Sequence, residues 1–237
     1  MTTSVSSWKP RSVAHRGHVA GKFSRHAENS AEAFAAAFQA GFPSECDVQQ
    51  SSDAEPVVIH DATLDRTTLA SGDVSAYSAQ QLPEIRLRTP NDEIAALPLL
   101  RDVADLVSLV EIKPPDCPHL VERVISIMGQ RRWTLQSFHP LNLLHARRVM
   151  PSLPVALLVE EESQIQIAVE HHWPVHLDHV LLQDHTAGRL QEAGLSVGVW
   201  TVNEEAHFNR VLPYRPDVII SDVPLLVRRW LAASGVA

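Results

Sequence analysis

Glu45 and Asp47 stand two apart in Glu45-Cys46-Asp47-Val48. A strand sends such a pair out of one face and Cys46 out of the other. If that face is an interior, the like charges repel and resist burial until a cation or a proton lies between them. An isolated Glu-x-Asp more often marks a strand with one wet face. Glu111-Ile112-Lys113-Pro114 repeats the arrangement after the apolar run Leu106-Val107-Ser108-Leu109-Val110. Glu111 and Lys113 are either site charges or a surface ion pair contributing about 0–1 kcal/mol. His15-Arg16-Gly17 joins a proton carrier, a guanidinium fork suited to phosphate oxygens and a residue free to turn tightly. His60-Asp61, followed by Arg66-Thr67-Thr68, supplies a second imidazole. A lone histidine of this kind is usually a hydrogen-bonded surface residue, but two that reach the same rim as three carboxylates are harder to dismiss.

These residues need a frame that brings strand ends together. Short apolar runs alternate with helical patterns along the whole chain, the mark of a parallel sheet with crossover helices. Eight strands are expected, ending near Ala14, Val48, Glu111, Ser137, Val159, Asp178, Val202 and Ser221. The fold expected is α/β, a (β/α)8 TIM barrel forming a single domain over residues 1–237, with its active site at the C-terminal strand ends. Val57-Val58-Ile59 exceeds the parallel count. After the turn-like Ser52-Asp53-Ala54-Glu55-Pro56 it reads as an extra hairpin arm behind the second strand, placing His60 roughly opposite Asp47. The first helix is expected to start with an Asn29 and Glu32 capping box, to carry Phe34 and Phe38 on one face and to stop at Gly41. A last helix with Leu225, Leu226, Val227, Trp230 and Leu231 is expected to pack outside the barrel.

Composition narrows the partners. The chain is 45% hydrophobic and 20% charged, ordinary for a globular protein, and 20 basic against 28 acidic residues give a net charge of −8. Without a basic stripe, such a balance argues against nucleic acid and anionic membranes. Arg131-Arg132 and Arg147-Arg148 read as solvated helix surface. Cys46 and Cys117 fit neither a zinc spacing nor a disulfide. Met1 to Arg11 lacks the apolar centre of a signal peptide, and no run approaches the ~20 apolar residues of a membrane span. The expected location is the cytoplasm.

Read in order, His15-Arg16-Gly17, Glu28-Asn29-Ser30, Glu45-Cys46-Asp47, His60-Asp61, Arg66-Thr67-Thr68, Glu111-Ile112-Lys113, Ser137-Phe138, Trp200-Thr201-Val202-Asn203 and Ser221-Asp222-Val223-Pro224 resemble the glycerophosphodiester phosphodiesterases. The compact length and Leu97-Pro98-Leu99-Leu100 look like the cytoplasmic bacterial branch. The resemblance implies a divalent cation, Mg²⁺ or Ca²⁺, on Glu45, Asp47 and Glu111. It implies proton transfer by His15 and His60, phosphate binding by Arg16 and Lys113, and substrate alignment by Trp200. The substrate implied is a small-molecule glycerophosphodiester, hydrolysed to glycerol 3-phosphate and an alcohol. Two departures stand out: Ala27 replaces the usual proline before Glu28, and Asp53-Ala54 replaces the usual Asp-Gly turn.

Trp200 also reads as packing. His176 and Asp178 share a face and read as satisfying each other, while Asp222, just ahead of a helix, reads first as its cap. Two other functions fit the frame. One is a phospholipase D-like enzyme for lysophospholipid or sphingolipid, which calls for an apolar or basic docking segment that the sequence lacks. The other is a non-catalytic metabolite-binding barrel, against which all five proposed metal and proton-transfer side chains stand in place.

Overall fold

Strands form where β-branched and aliphatic runs are cut short by turn residues, and helices where apolar residues recur every three or four. A computed structural model describes residues 10–21, 24–90 and 94–235, so most of the N-terminal stretch read for a signal peptide lies outside the described residues. Its strands are β1 (Arg11–Ala14), β2 (Glu45–Gln50), β3 (Pro56–Val58), β4 (Leu109–Ile112), β5 (Thr134–Ser137), β6 (Val155–Val159), β7 (Val175–Asp178), β8 (Val197–Trp200) and β9 (Val218–Ser221). Its α-helices are α1 (Ala31–Gln39), α2 (Leu100–Val103), α3 (Pro118–Met128), α4 (Pro140–Val149), α5 (Ile165–His171), α6 (Asp184–Glu192), α7 (Glu205–Val211) and α8 (Pro224–Ala233).

The sheet runs β1-β9-β8-β7-β6-β5-β4-β2-β3, with every neighbouring pair parallel except β2 and β3. Between β1 and β2 the barrel closes through one bridge, Ala14 with Ser44. The reason is local. The antiparallel arm β3 takes the upper edge of β2, pairing Val48 with Val58 and Gln50 with Pro56, and leaves β1 only the lower end. The expected (β/α)8 barrel with an extra hairpin arm is the fold observed. The strands expected to end near Val48 and Val202 are β2 and β8, however, which end at Gln50 and Trp200.

The main core lies between sheet and helices, where Cys46, Val48, Val110, Ile112, Leu135 and Leu157 meet Phe34, Leu120, Val124 and Leu143. A smaller cluster inside the barrel holds Val13, Leu109, Val218 and Ile220 against Trp200. The residues between β3 and α2 build a third, around Ile59, Leu64, Leu82 and Leu97, so the arm rests on its own core. Both cysteines are free.

Helix α1 starts differently from the expectation. Ser30 caps it, its Oγ accepting from Ala33 N at 3.1 Å, while Asn29 takes a left-handed φ of 58° and sends its amide into the site. Phe34 is fully buried, but Phe38 is 64% exposed and flanks a surface groove with Phe42. In α8, Val227 and Leu231 are buried and Trp230 leans on Phe208 of α7 at 5.6 Å, as expected of a helix covering the barrel's outside.

In the hairpin, Ala54 occupies a left-handed φ of 61°, the position where glycine is usual. The Cβ makes that conformation costly. Ala54→Gly is therefore expected to raise unfolding stability by about 1 kcal/mol, read from the urea midpoint at an unchanged slope, with relief of strain exceeding the extra backbone entropy. A lower midpoint would show that the turn is not strained.

Candidate active site

At the C-terminal ends of the strands is a cavity of about 350 Å³ lined by His15, Arg16, Glu45, His60, Glu111 and Lys113, among others. His15-Arg16-Gly17 forms a single 3₁₀ turn directly after β1. A Cβ on Gly17 would meet the Ala33 backbone at 2.9 Å, so glycine lets this turn press against α1. Arg16 is held on three sides: its backbone N–H donates to Glu45 Oε2 at 3.0 Å, Nη1 donates to Glu28 at 2.9 Å, and Nε lies 3.2 Å from Asp47. Asn29 completes the clamp, donating to Asp47 Oδ2 at 2.8 Å and accepting from Asp47 N at 3.3 Å.

Glu45, Asp47 and Glu111 are all buried, and an oxygen from each lies within 4.8 Å of the others. Two cations stand among them, since Lys113 Nζ lies 2.8 Å from Glu111 and 3.6 Å from Asp47 and Arg16 is on the other side. Lys113 thus belongs to the cavity and not to a surface pair. Three carboxylates against two cations leave the cluster with one excess negative charge. Burial, then Asp47 and Glu111, push Glu45 far above the usual carboxylate range, and burial with Asp47 pushes Glu111 up to about 7. Asp47 is also fully buried, but Arg16 and Lys113 overcome that effect and hold it below its ordinary value. The oxygens span about the ~4–5 Å diameter of a Mg²⁺ or Ca²⁺ coordination sphere. An all-oxygen set with surplus negative charge therefore fits a hard divalent cation.

The imidazoles are oriented alike. His15 Nδ1 donates to Asp222 Oδ1 at 2.7 Å, and His60 Nδ1 donates to Asp61 Oδ1 at 2.7 Å, leaving each Nε2 for exchange with the cavity. Asp222 is thus a partner of His15 and not the expected helix cap. Asn203 fixes it, donating to Oδ2 at 2.6 Å and accepting from Asp222 N at 2.8 Å. Asp61 is fixed by Arg66, which also grips Glu28 through two bonds of 2.8 and 2.9 Å. The carboxylates differ in one respect. Asp222 has no Lys or Arg partner among the described residues, whereas Asp61 is already countered by Arg66 and is held far below its ordinary pKa by it and by His60. Burial holds His60 below the usual imidazole value, and Asp47 and Asp61 offset only part of this.

The hairpin carries His60 differently from the expectation. Ile59, not His60, lies across from Asp47, donating to its carbonyl at 3.1 Å. Continued pairing would set His60 beside outward-facing Cys46. The ladder ends at Val58 instead, and Gln49 Nε2 holds the His60 carbonyl at 2.9 Å. On the far wall Trp200 donates from Nε1 to the His176 carbonyl at 2.8 Å and meets Phe138 edge to face at 5.7 Å, an apolar corner beside Lys113. Trp200 is both packed and cavity-lining.

His176 and Asp178 do not satisfy each other. His176 Nδ1 lies 2.7 Å from Gln136 Oε1, and Gln136 Nε2 reaches Glu45 at 3.4 Å, while Asp178 accepts from Val180 N. Gly198 makes room for the ring, since a Cβ there would lie 2.4 Å from it. Burial lowers the His176 pKa to about 4 from 6.5. The folded state therefore binds fewer protons than the unfolded chain between those values, and stability is lost as pH falls through that window. At 1.36 kcal/mol per pKa unit, the stability difference between native protein and His176→Gln is expected to narrow by about 3 kcal/mol between pH 7 and pH 4. Urea unfolding across that range measures it, and a constant difference refutes it.

A model of the glycerophosphoryl diester phosphodiesterase family matches residues 15–116 and 110–226. A glycerophosphodiester phosphodiesterase of Caldanaerobacter subterraneus subsp. tengcongensis is 26% identical over 232 residues, 90% of this chain and 93% of that protein. One of Bacillus subtilis is 25% identical over 251 residues, 92% and 85% of the two chains. The structure of an Oleispira antarctica phosphodiesterase in complex with the product sn-glycerol-3-phosphate has the same fold, with a TM-score of 0.80 at 20% identity over 95% of this chain and 98% of that one. The fold and family define a phosphoric diester hydrolase. The chain belongs to the glycerophosphoryl diester phosphodiesterase family.

Proposed function

We propose that the chain hydrolyses glycerophosphodiesters to glycerol 3-phosphate and an alcohol. The observation that carries this reading is that two imidazoles, each oriented by an aspartate at 2.7 Å, line one cavity with two of the three clustered carboxylates. Glu45, Asp47 and Glu111 would hold Mg²⁺ or Ca²⁺. When bound, that cation supplies positive charge beside a phosphoryl oxygen. Arg16 and Lys113 hold the phosphate, and Trp200 with Phe138 forms the wall for the glycerol or alcohol carbon chain.

The histidines divide the proton work. His15, oriented by Asp222 at 2.7 Å, gives its proton to the departing alkoxide. His60 stays neutral because it is partly buried and Asp61 already answers Arg66, so it takes the proton from the attacking hydroxyl. A bond from the attacking oxygen to phosphorus forms as the ester P–O bond breaks. We further read residues 1–237 as one domain working in the cytoplasm on a water-soluble substrate, without a nucleic-acid or membrane partner. The net charge of −8 supports that choice of partner.

Turnover of glycerophosphocholine, glycerophosphoethanolamine and lysophosphatidylcholine, each with Mg²⁺, with Ca²⁺ and with excess chelator, tests the proposal. The first two are expected to turn over only with cation and the lysolipid not to react. Full activity in chelator, or a preference for the lysolipid, overturns it.

A further inference from the structure

A second cavity, of about 420 Å³, opens at the opposite mouth of the barrel, where Arg11, Thr134 and Val218 begin β1, β5 and β9. Arg131 and Arg132 also line it, and among the described residues no carboxylate does. Arg131 is engaged by Asp105 at 2.6 Å, but Arg11 and Arg132 have no ion-pair partner among the described residues. Two uncompensated guanidinium groups at one cavity run against the balance of so acidic a chain. The cavity also reaches His176, which is only 5% exposed. Gln136 donates its amide to Glu45, so its oxygen accepts from His176 Nδ1, and Nε2 remains a bare acceptor on a ring that lines this cavity. An acceptor that no donor among the described residues meets offers a hydrogen bond to an occupant bearing an O–H.

We propose that this lower mouth binds a small hydroxylated anion of the hydrogen phosphate or hydroxyalkyl phosphate class, its charge meeting Arg11 and Arg132 and its O–H donating to His176 Nε2. The site is separate from the phosphate subsite of the catalytic end and does not depend on the proposed reaction. A chain of side chains, His176 to Gln136 to Glu45, joins the two ends of the barrel.

Calorimetric titration of the metal-free native protein with inorganic phosphate, alongside Arg11→Gln/Arg132→Gln, tests it. The native isotherm is expected to contain a binding event that the double variant loses, weakened roughly tenfold per arginine. Turnover in phosphate-free buffer is expected to stay within about twofold, since neither arginine touches the catalytic end. Sulfate, which carries charge but no O–H at neutral pH, is expected to bind the lower site at least roughly tenfold more weakly than phosphate. Identical isotherms for native and variant overturn the site, and equal affinity for sulfate overturns the hydroxylated ligand. If the double variant does not fold, Arg132→Gln alone is titrated in the same way, and an isotherm identical to the native one overturns the site.

Discussion

His15→Ala is expected to lower kcat on a glycerophosphodiester by at least ~10² and to recover most of that loss on a p-nitrophenyl phosphodiester. An alkoxide leaves poorly without a proton, whereas p-nitrophenolate leaves unaided, so a missing general acid matters only for the first substrate. His60→Ala is expected to lose at least ~10² on both, because its defect lies in making the nucleophile. The structure supplies an asymmetry that two strand-end histidines lack in sequence: Asp61 is answered by Arg66, whereas among the described residues Asp222 has no Lys or Arg partner and is held by His15 and neutral Asn203. If the substrates separate the mutants in the reverse sense, the roles are exchanged. If neither mutant is impaired, the acid and base pair is wrong.

Glu45→Gln is expected to cut turnover by about two orders of magnitude or more while making the metal-free protein more stable. Glu45 is the carboxylate of the cluster that lacks a side-chain cation among the described residues, receiving Arg16 N–H on Oε2 at 3.0 Å and Gln136 Nε2 on Oε1 at 3.4 Å; the single oxygen of glutamine can keep the shorter bond, and only the longer one is lost. Burial raises its folded pKa above its unfolded one, so the folded state binds more protons and the native protein loses stability as pH rises through that interval. Neutral glutamine escapes this loss. Relief on the order of 1–4 kcal/mol is expected at pH 8 in chelator. Added Ca²⁺ or Mg²⁺ should reverse the ranking, since a ligand at 100 times its Kd stabilises the native protein by about 2.7 kcal/mol. A native unfolding midpoint indifferent to millimolar cation, or a fully active Glu45→Gln, would remove the cation from this site.

The strand-borne half of the site is legible in the sequence because strand geometry is local. Alternation alone puts Glu45 with Asp47, and Glu111 with Lys113, on the same faces, and apolar runs mark the strand ends to within about two residues. What escapes is contact between distant residues. Asp222 meets His15 across 207 residues, and nothing near Ser221-Asp222-Val223 distinguishes that partner from a helix cap. Arg66 reaches Glu28 across 38 residues because the segment after β3 packs against the residues ahead of the first helix, Ala27 sharing a core with Ile59 and Leu64. His60 escapes for another reason, since its direction is set where pairing stops and strand periodicity no longer applies. Asn29 was readable as a cap by type, but Ser30 performs that role and frees Asn29 for Asp47.

Elsewhere in the barrel, neighbouring strands share at least two registered residues, whereas β1 and β2 meet at Ala14 and Ser44 alone. The two histidines sit on either side of that seam, His15 behind β1 and His60 behind the arm on β2. Across it run the grips of Arg16 on Glu45 and Asp47 and of Arg66 on Glu28 and Asp61. Amide hydrogens along the seam should therefore exchange with deuterium sooner than those between β4 and β5, through openings smaller than global unfolding. A phosphate held between Arg16 and the histidines would tie both banks together, so bound product should slow exchange most at the seam and least on the opposite wall. The junction where the barrel is least stitched would then be the one its ligand fastens.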